Sequence, residues 1–157
     1  MGDPPSIQAP AEFPDETAGF ALPGPAGLLE AATARPEAAI ARAGTAIICH
    51  PHPQHGGNLR NKVVTMLERS LRESGLATVR FNFRGVGDSE GRYDEGDGES
   101  GDLVAVAQWV RRVRPNDALW LAGFSFGSYV SIAQAVPLHA DALISIAPPA
   151  GRYGLDV

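Results

Sequence analysis

The segment Gly123-Phe124-Ser125-Phe126-Gly127 sets a serine between two glycines. It directly follows the apolar run Leu119-Trp120-Leu121-Ala122 and precedes a stretch of small residues. A serine on so sharp a strand-to-helix turn projects its hydroxyl beyond the sheet, at a helix N-terminus, where it can attack an acyl carbon. The turn demands an uncommon backbone conformation, and the residues two before and two after must lack a Cβ. Gly123 and Gly127 meet that demand. The attack also needs a base for the serine proton and N–H groups for the developing oxyanion. The backbone N–H of Phe126, next after the serine, is one expected donor.

The second donor should lie in the loop His50-Pro51-His52-Pro53-Gln54-His55-Gly56-Gly57, which leaves the apolar run Thr45-Ala46-Ile47-Ile48-Cys49. Pro51 and Pro53 have no N–H, so the backbone of His52 is the natural donor. An imidazole here could also reach the serine as a substitute base. A base must be held by a third group, and nothing in the loop supplies one. The loop is therefore read as a wall of the oxyanion hole, with His50 kept as the alternative base.

The elements that position these loops follow from periodicity. Residues 1–17 carry four prolines, several acids and no period, and read as a disordered arm. Two short apolar pieces flank Pro23-Gly24-Pro25-Ala26-Gly27 and predict a β-hairpin. Thr45 to Cys49, Leu76 to Phe83, the run before Ser125, and Ala142 to Ala147 are buried-type strands. Asn61 to Ser74 is helical, with Gly75 as its C-terminal stop. Leu103, Val106, Ala107, Val110 and Val113 share one face of a second helix, with Glu99 and Asp102 at its N-terminal end. A third helix follows Ser125. Strand and helix alternate, which predicts a parallel α/β sheet whose ligands bind beyond the carboxyl ends of its strands. The histidine loop, the loop from Arg84 and the serine turn all leave that edge. Residues 87–102 carry seven acids without the ligand spacing of a calcium loop, and are read as solvated.

Cys49-His50-Pro51-His52-Pro53 with Gly56-Gly57, then Phe81-Asn82-Phe83-Arg84-Gly85-Val86-Gly87-Asp88-Ser89-Glu90-Gly91, then the serine segment, resemble the α/β-hydrolase superfamily. More narrowly they are similar to a bacterial group related to dienelactone hydrolase-like enzymes. The resemblance covers roughly residues 20–150. It implies a three-layer αβα fold with an eight-stranded sheet, a Ser–His–acid triad and hydrolysis of esters or related acyl compounds. Ser125 would be the nucleophile, and His52 and Phe126 the oxyanion donors. The chain then reads as residues 18–157 of one hydrolase domain, its N-terminal two-thirds. The hairpin and about four core strands are present and the C-terminal strands missing.

In such a fold the acid and histidine follow the serine in chain order. The one histidine after Ser125 is His139, which precedes the last strand and so belongs to the opposite edge. Asp156 lies after that strand and is the one acid candidate. Little turnover by this chain alone is therefore expected, and a non-catalytic or incomplete domain is the rival reading. In that case the strand Ala142 to Ala147 offers an unprotected edge for self-association. A second rival arises because His50-x-His52-x-x-His55 resembles the zinc motif of metallo-β-lactamase-like hydrolases. Gln54 stands at the aspartate position, however, and the later ligand histidine is missing, so no metal and no cofactor is expected.

Composition excludes other classes. The net charge is −5, with Lys62 the only lysine, which argues against a nucleic-acid footprint. Apolar residues make up 44% and charged residues 20%, as in a globular domain of one core. One cysteine excludes an internal disulfide. With no membrane-length apolar run and no signal-like start, a cytoplasmic protein without membrane contact is expected, its partner a small acyl substrate.

Overall fold

A computed structural model describes residues 8–154. The hairpin is formed by β1 (Ala18–Gly24) and β2 (Gly27–Ala34), closed by the tight turn at Pro25 and Ala26. Then follow β3 (Gly44–Cys49), α1 (Lys62–Glu73), β4 (Ala77–Phe81), α2 (Asp97–Val113), β5 (Ala118–Phe124), α3 (Phe126–Ala135) and β6 (Ala142–Ile146). One sheet carries all six strands in the order β1-β2-β4-β3-β5-β6. The hairpin joins antiparallel through β2 and β4, and β4, β3, β5 and β6 run parallel.

Strand alternation sorts the core into two layers. Ala46 and Ile48 of β3 face α1, packing with Val64, Leu71, Leu76 and Ala122. Ile47 and Cys49 face the other way, into the cluster built by Leu103, Val106 and Trp109 of α2 with Phe126 and Val130 of α3. The fold is thus the three-layer arrangement the sequence predicts.

Two expectations need correction. The N-terminal arm is not free over residues 8–17. Phe13 is buried and stacks on Trp109 at 5.9 Å, the Trp109 indole donates to the Pro10 carbonyl, and Arg35 donates to the carbonyls of Phe13 and Pro14. An apolar ring with a tryptophan to cover outweighs the proline-rich composition around it. Residues 1–7 lie outside the described residues.

The second correction concerns the acid-rich segment. Helix α2 begins at Asp97, several residues earlier than its apolar period indicates. The Glu99 carboxylate, fully buried, accepts from the N–H groups of Asp94 and Gly96 and so caps the helix start. Asp102, also fully buried, pairs with Arg84 at 2.9 Å and accepts from the Arg84 N–H. These acids are structural, not solvated.

Candidate active site

Parallel register brings the ends of β3 and β5 side by side, Cys49 opposite Gly123, and pairs Phe124 with Ile146 of β6. The chain leaves β5 through Ser125 at φ 54°, ψ −117°, and enters α3 at Phe126. A non-glycine residue in that region is strained and persists only where its surroundings enforce it. Here the Ser125 N–H donates to the Ile146 carbonyl at 2.9 Å, and its carbonyl accepts from Tyr129 N–H. The flanking glycines are obligatory. A Cβ on Gly123 would lie 2.3 Å from the Gly127 carbonyl oxygen, and one on Gly127 would lie 2.2 Å from that of Cys49. The Ser125 side chain, half-buried, caps no N–H of α3. Ser125 stands at the carboxyl edge of the sheet, where β5 ends.

The histidine loop packs against this turn. The His52 carbonyl accepts from the N–H groups of His55 and Gly57, closing a short 3-10 turn over Pro53–His55. The N–H groups of His52 and Phe126 have no hydrogen-bond partner among the described residues. The His52 ring lies 5.3 Å from the Phe126 ring and 5.0 Å from that of Tyr93. Its Nδ1 accepts from Gln54 N–H at 3.1 Å and its Nε2 lies 3.1 Å from the Tyr93 hydroxyl. Burial, then the neighbouring His55, lowers its pKa below the ordinary histidine value.

His50 is not a base for Ser125. It is fully buried, accepts from Phe83 N–H through Nε2 at 3.0 Å, and contacts the Pro51 carbonyl through Nδ1 at 2.6 Å. Both ring nitrogens are occupied by backbone, and burial brings the pKa down to about 4. The zinc alternative fails on the same geometry. Two of its three imidazoles have both nitrogens engaged by the protein, and no three His, Cys, Asp or Glu side chains converge among the described residues. His139 precedes β6, as expected, with its carbonyl bound by Arg111. Asp156 lies outside the described residues.

The loop after β4 braces the site from the far side. Asn82 accepts from Leu59 N–H and donates to Glu30 of β2, which also accepts from Asp88 N–H. Those donors, the Asp88 N–H first, hold the Glu30 carboxyl below the usual carboxylate range. Ser89 hydroxyl donates to the Asn82 carbonyl and accepts from Glu30 N–H. Tyr93 is the residue that sequence reasoning passed over. It is the one aromatic among the glycines and acids of residues 87–102, and that contrast was its only signal. Ser128 was also missed: its hydroxyl bonds that of Ser145 and ties α3 to β6. A cavity of about 450 Å³ lies on the hairpin against Leu59, Arg60 and Asp88 and touches neither Ser125 nor His52. It is set apart from the chemistry described above.

Residues 27–155 match the model of the X-Pro dipeptidyl-peptidase (S15 family). An α/β serine hydrolase without lid from Xanthomonas campestris is 55% identical, with a TM-score of 0.90 over 92% of this chain and 67% of its own. An α/β serine hydrolase homologue from Coxiella burnetii is 51% identical, with a TM-score of 0.87 over 91% and 68%. An uncharacterised protein of Rickettsia prowazekii (strain Madrid E) is 36% identical over 128 residues, which are 80% of this chain and 53% of that protein. The chain thus spans about half the length of that curated relative. The narrower likeness to dienelactone hydrolase-like enzymes remains a resemblance.

Proposed function

Because the chain belongs to the X-Pro dipeptidyl-peptidase (S15) family of the α/β-hydrolase superfamily, we propose that Ser125 is the nucleophile of an acyl-transfer reaction to water. The substrate class is an ester or related acyl compound. The observation that carries this reading is the strained backbone of Ser125 at the start of α3, on the sheet edge where the N–H groups of Phe126 and His52 have no partner among the described residues. Attack by the Ser125 oxygen on a carbonyl carbon builds a tetrahedral centre whose oxyanion accepts from His52 N–H and Phe126 N–H. Collapse expels the alcohol and leaves an acyl-serine, which water then hydrolyses. His50 has both ring nitrogens taken by backbone and His139 precedes β6, so neither takes the serine proton, and the reading assigns the base and its orienting acid to segments outside residues 8–154.

A fluorophosphonate probe tests this, because its phosphorus is attacked by a serine seated at an oxyanion hole, slowly where the general base is not supplied. Mass spectrometry should find the adduct on Ser125, and Ser125→Ala should take up none. Adduct on another residue, or equal uptake by the alanine variant, would refute the nucleophile. An ester-turnover assay weighs the second reading, an incomplete domain. The 157-residue chain should turn over nitrophenyl esters weakly, at most about 10³–10⁴-fold over water, the level that binding and an oxyanion hole alone sustain.

A further inference from the structure

We infer that Tyr93 is a positioning residue for the oxyanion hole, acting through the imidazole of His52. The inference rests on the Ser125 reading above and assigns a role to a residue that takes no part in the bond changes. Gln54 N–H can only donate, so Nδ1 of His52 must accept, and the neutral ring carries its proton on Nε2. That Nε2–H then donates to the Tyr93 hydroxyl oxygen at 3.1 Å. The two bonds hold the ring from opposite ends. They fix the turn at His52, whose own N–H is the proposed donor and whose neighbours Pro51 and Pro53 have none to offer.

Three loops meet at this ring. The His52 ring packs on Phe126, whose N–H is the other proposed donor, and Tyr93 lies 5.9 Å from Phe126. Tyr93 is itself held, since the next residue, Asp94, donates its N–H to buried Glu99 at 2.9 Å. The line of support runs from the capped start of α2 through Tyr93 and His52 to the hole. An oxyanion donor must be in place before charge develops, so a bond that fixes its backbone acts on rate without touching the substrate.

Tyr93→Phe keeps the aromatic packing and removes the hydroxyl that accepts from His52 Nε2. It should slow fluorophosphonate labelling of Ser125 by roughly three- to tenfold, the worth of one oriented hydrogen bond. It should also speed hydrogen exchange at the Gln54 amide by a similar factor, with the urea midpoint nearly unchanged. His52→Asn places an amide oxygen near the Nδ1 position but cannot reach Tyr93. In that background Tyr93→Phe should have no further effect. Wild-type behaviour of Tyr93→Phe in either readout, or losses that multiply in the double variant, would overturn the inference. A wild-type protein that the probe does not label would sink the Ser125 reading instead. The exchange measurement then decides alone whether Tyr93 holds the His52 turn.

Discussion

Two backbone groups grip the His50 imidazole, the Phe83 N–H on Nε2 and the Pro51 carbonyl at Nδ1, and its ring sits edge-on to Phe83 at 4.8 Å. It joins the end of β3 to Phe83, two residues past β4, and is retained neutral. Protonation would put a donor against the Phe83 N–H and strand a charge in the core. With a pKa of about 4 when folded against an ordinary 6.5, the unfolded chain takes up the proton first. The stabilisation is therefore complete above pH 6.5 and is lost as pH falls through 4. Urea titrations should show the wild type losing about 3 kcal/mol more between those pH values than His50→Gln, whose amide can still accept from Phe83 but does not titrate. Equal losses would show that His50 is not held neutral. The sequence made His50 and His52 look alike, two imidazoles among prolines beside a serine turn. What separates them is burial behind Phe83, a long-range contact that no local spacing encodes. The glycines at 123 and 127 were legible because their requirement is local and steric.

At the level of elements, the four parallel strands and α1 were legible within a residue or two. Continuous β-branched runs and a clean helical period leave few alternatives. The segment between β4 and α2 was not. Its glycines and acids have the composition of a solvated loop, yet Arg84, Asp102, Glu99 and Asn82 make it the brace between the hairpin, α2 and the site. The buried Arg84–Asp102 pair is the centre of that brace, with the guanidinium also donating to the Gly98 carbonyl. Asp102→Asn leaves the Arg84 charge without its counterion and should cost about 3–5 kcal/mol, read from the urea midpoint. Hydrogen exchange should quicken first in the opening turn of α2. A loss below about 1 kcal/mol would mean that the pair behaves like a surface ion pair and that the brace is held elsewhere.

The whole molecule is a sheet with two unlike margins. One is closed by the hairpin, where β1 shields β2. At the other, β6 pairs only with β5 among the described residues. Leu143 of β6 is 39% exposed, and on the other face of the sheet Val63, Met66 and Leu67 of α1 form an apolar groove with Ile146. A parallel edge strand with apolar side chains and no proline or lysine is open to pairing by another strand. The 157-residue chain should therefore self-associate through β6. Sedimentation velocity over a range of concentrations should show a rising weight-average mass. Leu143→Lys should hold the protein monomeric, because a charge on an edge strand opposes strand addition. The substitution is at an exposed position, so its urea midpoint should stay within about 0.5 kcal/mol of wild type, which separates lost association from lost folding. A wild-type chain that sediments as a monomer at every concentration would show that β6 does not act as a pairing edge.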